Sequence, residues 1–309
     1  MQVLYAYYTA PDKSINNTEK ELFFSLKKTY DLYHYLLQLP VEIANHANSL
    51  IELRKKKHFP TEEDLNPNTR FINNQLIYQL RTNTALNKYL EQVKMGWQDD
   101  PEIVKRLFTA LIDADFFREY MSASQHTYQD DKKMMELLFA EVILQSENLS
   151  HLLEEQSIYW NDDVDFVISM IIKTIRKFKE YSSEDQVLLP FFKDEEDRQF
   201  ARDLYRKTVL NHDELRKVVE QHTVNWDVER IAFIDNLILE LAIAEFIYFP
   251  SIPTKVTLNE YIELSKYYST QKSRNFINGI LDKSLKALKK ENKVIKAGRG
   301  LIGEENKNE

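Results

Sequence analysis

The run at 228–248, VERIAFIDNLILELAIAEFIY, constrains the fold more than any other stretch of the chain. Its apolar side chains fall on nearly every side of a helix, and such a helix sits at the centre of a bundle. A membrane span would instead set Asp235, Glu240 and Glu245 against lipid on several sides, at about 2.5–3.5 kcal/mol for a central charged group. The run therefore reads as a core helix of a soluble protein. Glycine usage agrees: the 309 residues contain five glycines, three of them at 298, 300 and 303. The body of the chain thus has few tight turns and neither type of glycine-rich phosphate loop. The fold class expected is all-α. The absence of cysteine excludes a disulfide framework, a thiolate metal site and a thiol nucleophile. With no signal peptide, the expected location is cytoplasmic. A net charge of −8 argues against indiscriminate nucleic-acid binding, although a local basic face is sufficient for a specific one.

Helical periodicity extends along the chain. Residues 1–9, MQVLYAYYT, open inside an apolar, helix-compatible run with no cap, as if in the middle of an element. Leu22, Leu26, Tyr30, Tyr33 and Leu37 recur at helical spacing from Thr18 to Leu39, and Pro40 is expected to interrupt that helix. The next helix ends in Arg54, Lys55, Lys56, Lys57 and His58, either a solvated helix end or a phosphate contact. A loop is expected from Phe59 to Thr69, then helices over 70–95, 101–123 and 130–156, with Pro101 as a first-turn proline after Asp99 and Asp100. An offset of 66 residues pairs Trp160 with Trp226, Leu138 with Leu204, Leu149 with Leu215 and Ile172 with Ile238. The pairing reads either as an internal repeat or as two unrelated amphipathic helix pairs. Thr257 and Glu260 have capping-box spacing at the start of a helix, and Ser273 is placed to cap the last one.

No catalytic constellation emerges. The seven histidines are scattered, none forming the paired spacing of a helical metal site, and the acidic pairs Asp162–Asp163 and Glu195–Glu196 suit helix N-termini. No enzyme activity, cofactor or metal is expected. The last helix is more informative. Ile277, Ile280, Leu281, Ser284 and Leu288 share one face, and Phe276 lies about 100° away in the first turn. An aromatic ring among Lys272, Ser273, Arg274, Asn275 and Asn278 suits base stacking and phosphate contact, or else marks the edge of the core. Gly279, which costs about 1 kcal/mol against alanine inside a helix, is expected to permit close backbone packing.

Three segments, WDVERIAFIDNLILELAIAEF (226–246), IPTKVTLNEYIELSKYYS (252–269) and SRNFINGILDK (273–283), resemble in order and spacing the C-terminal half of the NusB family of transcription antitermination factors. DEEDRQFARDLYRKTVLNHDEL resembles that family's third helix, and MQVLYAYY the middle of its first. The resemblance implies a NusB-like helical bundle of two packed subdomains with an additional helical insertion. Residues 1–10 would be a truncated first helix, 11–125 the insertion, 126–189 a unit resembling part of the fold, 190–290 the NusB-like core and 291–309 a flexible basic and polar tail. It further implies a non-enzymatic protein. Its partners would be boxA-like RNA of ribosomal RNA transcripts, the ribosomal protein NusE, and the transcription elongation complex of RNA polymerase and other Nus factors. No membrane or DNA contact is implied. The RNA-binding positions carried over are Gln2, Tyr5, Lys272, Ser273, Arg274, Asn275, Phe276 and Lys283. Tyr5 and Phe276 would stack bases, and Lys272, Arg274 and Lys283 would hold phosphates.

Two departures stand out. The family's arginine-rich lead-in to its first helix is absent before Met1, which implies either a start assigned at an internal methionine, the favoured reading, or a loss of RNA affinity. The arginine of the family's LRLA-like segment is Glu240 here, in doubt as an ionic contact. A NusB-fold protein–protein assembly module that has lost RNA binding is the alternative function. A ribosomal RNA cytosine methyltransferase with a NusB-like front domain is disfavoured by the missing cysteine and glycine-rich cofactor loop.

Overall fold

The computed structural model describes residues 1–11, 14–223 and 231–303, and every regular element among them is helical. The helices are α1 (Gln2–Thr9), α2 (Ile15–Lys55), α3 (Glu62–Leu65), α4 (Gln75–Thr82), α5 (Thr84–Val93), α6 (Pro101–Asp113), α7 (Asp115–Ser122) and α8 (Tyr128–Leu137). A π-helical turn (Leu138–Ile143) follows, then α9 (Glu147–Gln156), α10 (Val164–Lys177), α11 (Glu195–Leu210), α12 (His212–His222), α13 (Phe233–Tyr248), α14 (Thr254–Tyr268), α15 (Gln271–Lys290) and a 3₁₀ turn (Gly298–Leu301). They form two units, one of Met1–Phe23 with Phe192–Glu309 and one of Phe24–Phe191. No helix among the described residues is long and apolar enough to cross a membrane.

In the first unit α13 is the axis. It packs against α11, α12, α14, α15 and α1, and Leu237 through Phe246 are buried without a break. The all-round apolar pattern thus has its physical counterpart in a helix with neighbours on all sides. Its three carboxylates are buried too, and each has a partner. Asp235 accepts from the Ser269 hydroxyl. Glu240 meets His212 Nδ1 at 2.8 Å, and Glu245 accepts from Thr257 Oγ1 at 2.8 Å and Tyr261 Oη at 2.9 Å. Burial pushes the carboxyls of Glu240 and Glu245 above the usual carboxylate range, an effect that the His212 contact opposes at Glu240 and the two hydroxyl donors oppose at Glu245.

The second unit is built on the greater part of α2, whose Leu32, Leu36, Leu37, Leu39 and Ile43 lie in a core with Trp97, Phe139 and Phe178. Pro40 does not interrupt this helix. A proline in a helix interior costs about 3 kcal/mol. Each fully buried leucine beside it contributes about 1.5–3 kcal/mol, so a helix buried from Asp31 to Leu37 and again from Leu39 to Val41 stays continuous.

Other expected spans are divided. The 70–95 helix breaks at Asn83, where the fully buried side chains of Asn74 and Asn83 accept from Leu76 N at 2.9 Å and Leu86 N at 2.9 Å, starting α4 and α5 separately. The 101–123 helix breaks at the extended Ala114. The 130–156 helix is divided by the π-helical turn and restarts under a Ser146 cap. The 59–69 loop contains the short α3, capped by Thr61. Thr257 and Glu260 form no capping box: α14 starts earlier, at Thr254 after Pro253, and Thr257 is buried against Glu245 instead. Ser273 is likewise not the cap of α15. Thr270 is, accepting from Ser273 N at 3.2 Å.

The segment read as a flexible tail is anchored over residues 293–303. Ala297 N donates to Pro250 O at 2.9 Å and Lys296 Nζ to Phe249 O at 2.9 Å. A Cβ at Gly300 would stand 1.9 Å from Pro250 O, so glycine is what lets the chain lie against that turn. Residues 304–309 lie outside the described residues, as do Trp226 and the rest of 224–230.

The 66-residue offset has a structural correlate. Adding it to the bounds of α8 and the π turn gives those of α11, and adding it to α9 gives α12, each to within about two residues. Leu149 and Leu215, Leu153 and Val219, and Ile171 and Leu237 are buried at matching places. Trp160 is buried, while its counterpart Trp226 is outside the described residues.

Candidate nucleic-acid interface

The eight positions named from the sequence lie on α1 and α15, in the unit of Met1–Phe23 and Phe192–Glu309. The start of α1 is tied to the end of α14 by Gln2 Nε2, which donates to Tyr268 Oη at 3.1 Å. Two residues later Thr270 caps α15. The Ser269 hydroxyl between them bonds Asp235 in the first turn of α13. A single polar chain of contacts therefore gathers the beginnings of α1, α13 and α15 around the end of α14.

Tyr5 is 45% exposed on α1, and its ring lies 5.5 Å from that of Phe233, itself 41% exposed at the first position of α13. Phe233 also meets Tyr8 edge-on at 6.3 Å. Large rings held by their neighbours yet open to solvent are what base stacking requires. Tyr267, 77% exposed, adds a third ring at the end of α14. Sequence reasoning missed Phe233, Tyr267 and Tyr268. The signal available for Phe233 was a phenylalanine in the first turn of an otherwise core helix, which periodicity reads as core.

On α15, Lys272 and Asn275 are exposed, and Ser273 and Arg274 half-buried. The Nε of Arg274 is out of solvent reach with no hydrogen-bond partner. Phe276 is half-buried and packs at the edge of the core. Lys283 is exposed but stands 11 residues beyond Lys272, about 16 Å along the helix at 1.5 Å per residue, so it is apart from the aromatic group. Gly279 is not a close-packing site: a Cβ there would meet nothing within 4 Å, because the residue lies on the solvent face.

Glu240, the departure from the family's arginine, lies beneath this region. It binds His212, whose ring rests 4.5 Å from that of Tyr8. Burial, reinforced by the Glu240 charge, holds the Tyr8 phenol well above its ordinary range, so it stays neutral. The contact here is a carboxylate with an imidazole, not with a guanidinium.

Charge is unevenly divided. Phe24–Phe191 contains 19 Lys and Arg against 26 Asp and Glu, a net −7, and the other unit 22 against 23. Between Gln271 and Arg299 there are nine cations and two acids. The Phe24–Phe191 unit has an open polar cleft of about 800 Å³ lined by Lys28, Tyr35, Gln38, Glu91 and Asp100, but Asp100 is already engaged by Gln156 at 3.0 Å, as befits a structural carboxylate.

Comparison with known proteins adds a family. A family model described as the NusB family matches residues 167–286. The transcription antitermination protein NusB of Salinibacter ruber is 40% identical over 117 residues, 38% of this chain and 73% of the relative. The protein of the same name from Chloroherpeton thalassium is 37% identical over 105 residues, 34% of this chain and 50% of the relative. That from Oleidesulfovibrio alaskensis is 48% identical over 89 residues, 29% and 58%. The chain spans roughly half to three quarters of the length of these relatives. No solved structure matches it.

Proposed function

The chain belongs to the NusB family, and we propose that it is a transcription antitermination factor that binds boxA-like RNA of ribosomal RNA transcripts together with the ribosomal protein NusE. Its role is that of a non-catalytic platform at the transcription elongation complex. The observation that carries this reading is the convergence of exposed rings and cations at the starts of α1, α13 and α15. Tyr5 and Phe233 offer stacking faces, Phe276 a ring edge, and Gln2 and Asn275 amides for base edges, while Lys272 and Arg274 supply positive charge. Lys283 extends the cations along α15.

A second reading, a protein–protein assembly module, draws on the net −7 of Phe24–Phe191, which repels a polyanion and suits a protein partner. The two are separated by titrating the chain plus NusE with a boxA-like RNA and with its scrambled counterpart over a series of salt concentrations. The RNA reading expects tighter binding of the boxA-like sequence and weakening as salt rises. Equal binding of both RNAs, or none, leaves the assembly reading.

A further inference from the structure

The solvent face of α15 has a feature that stacking at its first turn does not use. At 100° per residue Lys272, Gly279, Lys283, Lys286 and Lys290 fall within about 60° of one another, opposite the buried Ile277, Leu281, Ser284 and Leu288. All five are exposed. From Lys272 to Lys290 the stripe is about 27 Å long at 1.5 Å per residue. Lys272, Lys283 and Lys290 form no ion pair among the described residues. Lys286 pairs with Asp282 at 2.6 Å in a solvent-exposed bridge that is easily exchanged. Asp282 is the one acid within α15.

Gly279 lies on the midline of this stripe, with open space where a Cβ would be. Neither a positive φ nor packing calls for glycine there. Its effect is to lower the helix surface between Lys272 and the three lysines that follow, so that a chain crossing the stripe comes close to the helix backbone.

Resting on the RNA-binding reading above, we propose that the stripe is a phosphodiester track, along which single-stranded RNA flanking the recognised tract runs down α15 past Gly279 to Lys283, Lys286 and Lys290. Charge complementarity selects the occupant: ammonium groups aligned on one helix face, with neither an aromatic ring nor an amide on α15 beyond Asn278, match a polyanion read without regard to sequence.

The test uses the full chain with NusE, a minimal boxA-like RNA, and the same RNA carrying an oligouridine extension of about eight nucleotides at one end or the other, long enough to cover about 27 Å even at the stacked-duplex spacing of about 3.4 Å per nucleotide. The wild-type protein is expected to bind one extended RNA more tightly than the minimal one and with a steeper salt dependence. Replacing Lys286 and Lys290 together by glutamine, with Lys283 left in place because it belongs to the boxA site proposed above, should abolish most of the gain and lower the slope of log K against log salt by about 1.4, at about 0.7 per phosphate contact. Affinity for the minimal RNA should fall by less than about threefold, with the melting temperature unchanged. Gly279→Gln should reduce the same gain without loss of thermal stability. An extension that adds nothing in the wild type, or a gain that survives the double substitution in full, overturns the track while leaving the boxA reading intact. Loss of poly-glutamate binding in the double variant, with no RNA gain in the wild type, overturns it in favour of an acidic protein. Failure of the wild type to bind even the minimal RNA overturns the reading on which the track rests.

Discussion

In the proposed stacking site, Phe233 and Phe276 differ in how far they are exposed. Phe233 stands 41% exposed with its ring held by Tyr5 and Tyr8, whereas Phe276 is half-buried at the edge of the core. Truncating a fully buried phenylalanine costs about 3–5 kcal/mol, so Phe276→Ala is expected to cost about 1–2 kcal/mol of stability, and Phe233→Ala less. Each should weaken boxA-like RNA by about 1–3 kcal/mol, the worth of one stacked base. Denaturant unfolding read beside RNA titration checks the pair; unchanged RNA affinity in both variants would assign the rings to packing alone. Gly279→Ala should stabilise the free protein by about 0.5–1 kcal/mol, since an exposed helical glycine with no contact is replaced by the best helix former. At this scale the cations of α15 were legible because helical phase follows from spacing. Phe233 was not, because periodicity reports which face a residue occupies and not whether the first turn of a core helix emerges into solvent. Gly279 was misread for a related reason: a glycine's cost is visible in sequence, but the presence or absence of a neighbour is not.

Among the elements, α13 and α14 show how a nearly all-apolar helix tolerates acids. Glu245 has both carboxylate oxygens filled, by Thr257 and Tyr261, yet burial still raises its proton affinity above that of an unfolded glutamate. A carboxyl so raised binds protons more tightly when folded. Its stabilising effect is therefore full below the unfolded pKa of about 4.3 and is lost as pH rises through the folded value. Glu245→Gln should remove that part of the decline, so the variant gains on the wild type as pH rises from about 4.3 toward neutrality; the residual slope combines Glu240 and Asp163, whose burial shifts them in the same direction, with the buried His34, which is pushed down to about 4 and works the opposite way. Unfolding curves at several pH values measure it, and identical slopes for both proteins would count against the assignment. The same contacts explain why Thr257 was misread. Its spacing to Glu260 suits a cap, but the demand of a buried carboxylate from another helix has no trace in local sequence. Pro40 is the converse case, a strong local stop signal overruled by burial of the helix around it. Helix type was read correctly almost throughout, whereas breaks at Asn83, Ala114 and the π-helical turn depend on packing partners distant in the chain.

Over the whole molecule, charge and family likeness are divided between the two units. The family model covers 167–286, from within α10 to within α15, and the unit containing most of that span is almost neutral overall while its last helix and the segment after it are strongly basic. The chain's acid excess belongs instead to Phe24–Phe191. A single net charge of −8 thus concealed two surfaces of different character. Long-range attraction to a polyanion is set by the local field and not by the sum. The NusB-like half was legible because its motifs are contiguous in sequence. The Phe24–Phe191 unit offered only periodicity, which specifies helices and a core but no ligand. The most direct test of where RNA binds is hydrogen–deuterium exchange of the full chain with NusE, with and without a boxA-like RNA. Added protection is predicted in α1, the first turn of α13 and the N-terminal half of α15, with little change across Phe24–Phe191. Protection confined to Phe24–Phe191, with α1 and α15 exchanging as in the absence of RNA, would contradict it.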